Sequence, residues 1–158
     1  MEASTFDEPA FFRALHVSGA RALLIGRRAL VLLGLPVLTA DYDFWIHIDD
    51  IAPFNAACES SGLSPTLSPN EARQKGRYVL ENDEHVDVLV ARLLSTIDGE
   101  AVSFEDVWQR RQAIDLGNGC AVAIPTIDDL IRTKRFRARP RDLEDIRLLE
   151  ALRAERAQ

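Results

Sequence analysis

Residues 24–48 read LIGRRALVLLGLPVLTADYDFWIHI, and this stretch decides the fold. Its first apolar run stops at Gly26, a longer apolar run follows, and an alternating segment rich in β-forming residues closes it. The pattern predicts a buried strand, a helix and a second strand, over Ala22–Ile25, Arg27–Leu33 and Asp41–Asp49.

Outside this stretch, apolar spacing and capping residues predict the other helices. These are Asp7–Val17 capped by Ser4 or Thr5, Asp50–Ser61, a short helix or turn at Phe104–Arg110, a helix from Ile127 capped by Thr126, and Arg141–Arg156 after Pro140. Further strands are predicted at Arg77–Glu81, Glu84–Ala91, Ala113–Leu116 and Cys120–Ile124. The proline-containing stretch 63–76 is predicted as a loop with a short turn.

The strands are mostly consecutive after the third helix, so a doubly wound parallel sheet is not expected. We predict an α+β fold: a mixed β-sheet with helices packed against it and two C-terminal helices. A length of 158 residues predicts a single domain, with a core over 20–125 and a helical segment over 126–158.

The composition excludes several classes of protein. With 47% hydrophobic and 28% charged residues, the chain is neither disordered nor fibrous. The longest apolar run, Ala29–Leu33, is too short for a membrane span, and Met1–Pro9 carries three acids and no base, unlike a secretory signal. Cys58 and Cys120 lack metal-type spacing, so we expect reduced thiols in a cytoplasmic protein.

Positive charge is concentrated in one segment. The net charge is −6, yet residues 132–141 read RTKRFRARPR, with six bases in ten positions. The segment predicts either a local site for a phosphate-rich partner or a solvated helix end that favours the helix dipole.

Three aspartates are candidates for a metal site. Side chains alternate along a strand, so Asp41 and Asp43 should project from one face, about 7 Å apart. Asp87 stands within a run of β-branched residues, and a neighbouring strand would let it join them. Carboxylates without a nearby Cys or His cluster favour Mg²⁺. The alternatives are exposed acids at a strand start and, for Asp87, an edge position or an arginine partner.

Gly26, Arg27 and Arg28 lie at a predicted strand-to-helix junction. Backbone N–H groups at such a junction can meet an anion, and two arginines suit a phosphate. Many turns of this kind bind nothing.

Together these pieces resemble the polymerase-β-like nucleotidyltransferase superfamily. Residues 24–48 are similar to its glycine turn, helix and acid-x-acid strand, through Gly26, Ala29, Gly34, Thr39, Asp41 and Asp43. Residues 124–149 are similar to the closing segment of abortive-infection and toxin-type members. The resemblance spans residues 23–149. The chain departs from the pattern at Arg27, where relatives have Gly or Ser, and at Val37, where many have arginine.

The resemblance implies roles for individual residues. Asp41, Asp43 and Asp87 would hold two Mg²⁺ ions, and Asp87 could act as base on the acceptor hydroxyl. The candidates for binding the NTP are Gly26, Arg27, Arg28, Thr39 and Lys134. Arg27 would either crowd the triphosphate or grip it. Around Pro140, the candidates for a polyanionic acceptor are Arg137, Arg139 and Arg141.

The leading hypothesis is a Mg²⁺-dependent enzyme that moves a nucleoside monophosphate from an NTP to an acceptor hydroxyl. The acceptor would be an RNA 3' end or a protein side chain, and a small molecule also fits; the setting would be a toxin–antitoxin or phage-defence system. The alternative is an impaired module that binds nucleotide, RNA or a cognate toxin or antitoxin without turnover. A metal-dependent phosphohydrolase fits the paired acids but not the glycine turn.

Overall fold

The structure, a computed structural model, describes residues 6–158. The helices in this range are α1 Glu8–Ser18, α2 Gly26–Leu32, α3 Ile51–Glu59, α4 Pro69–Lys75, α5 Phe104–Arg110, α6 Ile127–Lys134 and α7 Pro140–Arg156, with a 3-10 turn at Ile48–Asp50. The strands are β1 Ala22–Ile25, β2 Asp41–Ile46, β3 Ser64–Pro65, β4 Arg77–Glu81, β5 His85–Leu89, β6 Leu93–Ser95, β7 Ala101–Ser103, β8 Gln112–Gly117 and β9 Cys120–Ile124. The predicted α+β class is confirmed.

The central sheet has five strands in the order β1-β2-β5-β4-β3. Strands β2 and β5 are parallel, and the other neighbouring pairs are antiparallel. Strands β6 and β7 form one hairpin, and β8 and β9 form another. The sheet is therefore mixed, as predicted, and its one parallel pair joins the two strands that carry the candidate aspartates.

The two faces of the sheet differ in chemistry. One face presents buried side chains such as Phe44 and Val88, which belong to the main core together with Phe11 of α1 and Phe54 of α3. Because side chains alternate, the residues between them on β2 and β5 project to the opposite face. That opposite face carries the aspartates and stays open to a cleft.

Helix α1 begins differently from the prediction. Asp7 occupies the N-cap position, and its carboxylate accepts a hydrogen bond of 3.0 Å from the backbone N–H of Ala10. The predicted caps, Ser4 and Thr5, lie outside the described residues. Within residues 6–158, no helix is both long and apolar enough to cross a lipid bilayer.

The prediction of a loop over residues 63–76 was wrong in part, since β3 and α4 lie there. Ser68 and Glu71 form a capping box that starts α4, and Gly76 ends the helix with φ 77°. Strand β2 ends at Ile46, three residues earlier than predicted, because the chain turns into the 3-10 segment. The short β6–β7 hairpin was not predicted at all.

Candidate active site

A cleft of about 380 Å³ opens over the polar face of the sheet. Its walls come from the junction of β1 and α2, from β2, β5 and the start of β4, and from β6, α6 and the start of α7. Nearly all of the predicted site residues line it, although they come from distant parts of the sequence.

The three aspartates line the same cleft. In the parallel pairing of β2 with β5, Asp43 is the register partner of Asp87, and Asp41 precedes Asp43 by two residues on the same face. Burial raises the pKa of Asp43 from 3.8 to about 6, and the charges of Asp87 and Asp41 add to this, while Lys134 acts in the opposite direction. Burial and the two neighbouring carboxylates therefore both disfavour the ionised form of Asp43.

A glycine is required at position 26 because the backbone there lies close to the side chain of Asp43. Its φ is +70°, a conformation that side-chain-bearing residues rarely adopt. A Cβ at this position would lie 3.0 Å from the Cβ of Asp43 and closer still to its carboxylate. The glycine thus lets the junction of β1 and α2 pack directly against Asp43, one of the candidate metal ligands.

Asp87 is engaged by a neighbouring histidine. Its Oδ2 lies 3.2 Å from Nε2 of His85, and the Asp87 side chain is 41% exposed. Burial acts to lower the pKa of His85, but the charge and hydrogen bond of Asp87 and the charges of Asp41 and Glu81 together outweigh it, and the pKa lies above its usual value. The sequence reasoning had assigned no role to His85.

The three aspartate carboxylates are the type of ligand that binds a hard cation such as Mg²⁺. Carboxylate oxygens are the ligands that Mg²⁺ prefers, and a cation would favour the ionised form of Asp43, whose pKa is raised first by burial and then by the charges of Asp87 and Asp41. In the described part of the chain, however, no three ligating side chains lie close enough together to hold one ion.

Lys134 is buried, and Asp145 holds it in place. Its Nζ lies 2.7 Å from Oδ2 of Asp145, a carboxylate with no exposed surface. Arg27 binds the same carboxylate, with Nη2 3.2 Å from Oδ1, and also donates to the carbonyl of Leu38. Arg27 and Lys134 both line the cleft. One buried acid therefore places two cations beside the three aspartates.

The sequence reasoning assigned no site role to Asp145. The available signal was its spacing: Asp142, Asp145 and Leu149 all fall on the buried face of α7. Acids on the apolar face of a helix need a buried cation, but the sequence does not say which one.

Arg28 is not brought into the cleft. Its guanidinium lies 4.2 Å above the ring of Tyr42 and 3.5 Å from Glu8 of α1, on the core side of the sheet. Thr39 does line the cleft, where its hydroxyl accepts a hydrogen bond of 3.1 Å from the backbone N–H of Asp41. It thereby supports the start of β2.

The arginines of the C-terminal segment reach the cleft with different partners. Arg139 pairs with Asp142 at 2.9 Å, in a contact that closes the start of α7. Arg137 and Arg141 are exposed and form no ion pair within the described chain. Two further bases, Lys75 and Arg77, line the cleft from the α4–β4 side, and the sequence reasoning missed them.

An apolar wall completes the cleft. Leu89, Leu94 and Phe136 lie along it. Behind them the indole of Trp45 is fully buried, and its Nε1 donates a hydrogen bond of 2.9 Å to the carbonyl of Ala91. Trp45 therefore packs behind the wall, and the cleft offers both a charged floor and an apolar side.

Comparison with known proteins gives a match only at the level of structure. No protein-family model matches the chain, and no curated protein sequence does. A solution structure of the antibiotic-resistance factor ANT(2'')-Ia matches with a TM-score of 0.65 and 17% identity, covering 93% of this chain and 83% of that one. A crystal structure of ANT(2'')-Ia in complex with adenylyl-2''-tobramycin matches with a TM-score of 0.64 and 17% identity, covering 94% and 88%.

A third similar structure comes from Thermotoga maritima. It is a protein assigned as a nucleotidyltransferase, with a TM-score of 0.54 and 14% identity, covering 91% of this chain and 86% of that one. All three matches run over most of both chains. The chain therefore has the nucleotidyltransferase fold, as its resemblance to the polymerase-β-like superfamily implied.

Proposed function

We propose that this protein is a Mg²⁺-dependent nucleotidyltransferase that moves a nucleoside monophosphate from an NTP to an acceptor hydroxyl. The observation that carries the proposal is that Asp41, Asp43 and Asp87 line one cleft together with Gly26 and Lys134, with Asp43 and Asp87 paired in register on neighbouring strands. The nucleotidyltransferase fold supports the same reaction class.

In this proposal Asp41, Asp43 and Asp87 hold the metal. When bound, Mg²⁺ supplies charge stabilisation to the attacking and leaving oxygens. The acceptor oxygen forms a bond to the α-phosphorus, the bond to the α–β bridging oxygen breaks, and pyrophosphate leaves. Asp87, at the exposed rim with His85 beside it, accepts the proton of the acceptor hydroxyl.

The cations beside the aspartates suit the triphosphate. Lys134 has its ammonium fixed by Asp145, so little side-chain entropy is lost when it meets a phosphate. Arg27 is bound to Asp145 and to the Leu38 carbonyl, which favours a turn that stays open over one that the arginine blocks. The apolar wall near Phe136 can take a nucleobase.

The biological setting is the finer part of the proposal. An RNA 3' end and a protein side chain are the candidate acceptors, and a toxin–antitoxin or phage-defence system, with a cognate toxin or antitoxin, is the candidate context. The adenylylated tobramycin bound to ANT(2'')-Ia shows that a small molecule is a third class to test.

The experiment is an incubation with each α-labelled NTP and Mg²⁺, with cellular RNA, protein or aminoglycosides as acceptors. We expect pyrophosphate release and label transfer that Asp43→Asn abolishes. Glu59→Gln, which removes an exposed acid far from the cleft, is the matched control and should keep full activity. Mg²⁺-dependent nucleotide binding without pyrophosphate from any acceptor would support the binding module instead, and absence of both would refute the proposal.

A further inference from the structure

The residues that line the cleft follow one another across the sheet in the order of its strands. Gly26 follows β1, Asp43 lies on β2, Asp87 on β5 and Arg77 on β4, and these strands are neighbours in that order. Arg77 is the register partner of Leu89, two residues beyond Asp87, so Arg77 projects from the same face as Asp87. The aspartates thus separate the Gly26 side of the cleft from an α4–β4 side.

The α4–β4 side carries free positive charge. Lys75 and Arg77 are exposed, line the cleft and form no ion pair within residues 6–158. On the Gly26 side, Arg27 and Lys134 are both paired with Asp145, while Arg141 of α7 also lines the cleft without an ion pair in the described chain. The charge of Glu71 on α4 interacts with that of Lys75 but forms no ion pair with it, so both bases can still meet a negatively charged group in the cleft.

The same cleft lacks acids that could bind a cationic acceptor. Besides the three candidate metal ligands, the one acid on its described lining is Asp142. That carboxylate accepts hydrogen bonds from the backbone N–H and the side chain of Arg139, both about 3 Å long, and caps α7. The ammonium groups of an aminoglycoside would find no uncommitted carboxylate here.

We propose that the acceptor is a single-stranded RNA whose terminal ribose hydroxyl lies at Asp87 and whose phosphates lie on Lys75 and Arg77. This inference rests on the proposed transferase function and names its acceptor class. The acceptor enters from the α4–β4 side, opposite the side on which Lys134 meets the nucleotide. Arg137, unpaired on the cleft rim, extends the basic path.

The test measures binding of a short single-stranded RNA with a free 3' hydroxyl to the full chain, over about 50 to 200 mM salt. The variant is Lys75→Gln/Arg77→Gln. The control is Arg147→Gln/Arg156→Gln, which removes two exposed, unpaired α7 arginines outside the cleft and gives the same change in net charge. Both variants should fold, because no ion pair is broken, and thermal melting checks this.

Two phosphate contacts contribute about 1.4 to the slope of log K against log salt for a single strand. We therefore expect the Lys75/Arg77 variant to bind RNA about 25-fold more weakly at 0.1 M salt, with a slope smaller by about 1.4. Its Mg²⁺-dependent affinity for NTP should be unchanged, and the control should match the wild type in both measurements.

Several results would overturn the assignment of the acceptor. One is an unchanged RNA affinity in the Lys75/Arg77 variant. Another is a loss of NTP affinity with RNA affinity unchanged, which would mean that Lys75 and Arg77 bind the triphosphate of the NTP. Label transfer to proteins or aminoglycosides but not to RNA would also overturn it. In that last case pyrophosphate is still released, so the proposed transferase function would be retained and only the proposal of an RNA acceptor would be rejected.

Discussion

Replacing Asp43 with asparagine should stabilise the metal-free protein at neutral pH. The Asp43 carboxyl is partly buried and interacts with the charges of Asp87 and Asp41, so its pKa rises from 3.8 to about 6. A rise of this size corresponds to roughly 3 kcal/mol of unfavourable free energy once the carboxyl is ionised. Asp43→Asn removes that ionisation, and for a chain of this size the gain is roughly 6 °C or more in Tm.

The sign of the pH dependence follows from the direction of the shift. Because the folded-state pKa lies above the unfolded value, the stabilising contribution of the protonated carboxyl is fully present below about pH 4. It is lost as the pH rises through about 6. The stability difference between Asp43→Asn and the wild type should therefore be near zero at about pH 4 and reach its full size above about pH 7.

The assay is urea unfolding of both proteins across this pH range, without and with Mg²⁺. Glu59→Gln is the control for the loss of one negative charge, and its stability difference should stay small at every pH. Added Mg²⁺ should stabilise the wild type and leave Asp43→Asn nearly unchanged. A variant that is less stable than the wild type at pH 8, or a difference independent of pH, would refute the reasoning and make Asp43 a structural hydrogen-bond partner.

Three further substitutions test the surroundings of Asp43. Gly26→Ala should lower the free energy of unfolding, measured in urea, by about 1–3 kcal/mol more than Gly19→Ala does. Both glycines have positive φ, but only Gly26 lies against Asp43, so equal losses in the two variants would contradict this close packing. Asp145→Asn should lower the free energy of unfolding by about 3–5 kcal/mol because two cations lose their buried partner, and a loss under about 1 kcal/mol would contradict this. Lys134→Ala should weaken NTP binding in calorimetry about tenfold or more; unchanged affinity would make Lys134 only the counter-ion of Asp145.

Local patterns predicted most of the elements that build the site. Alternation predicted β2 and β5, the strands of Asp43 and Asp87, and Thr126 was correctly read as the cap of α6. The prediction missed the strand β3, whose two residues give little local signal. It also missed helix α4, because two prolines in this stretch led to the prediction of a loop. In α4 Pro69 occupies the first turn of the helix, where a missing N–H costs nothing.

The sequence by itself determined the side-chain parity that puts Asp41 and Asp43 on one face, and the glycine that the turn before α2 requires. Both are properties of neighbouring residues, so spacing along the chain is sufficient to find them.

Only the tertiary structure decided which distant groups meet. The pairing of β2 with β5 aligned Asp43 with Asp87, and the packing of α7 against α6 and α2 gave Lys134 and Arg27 a common carboxylate in Asp145. It also turned Arg28 away to Tyr42 and brought Arg77 beside the aspartates. Electrostatic energies depend on distance and burial in space, and neither can be read from separation along the chain.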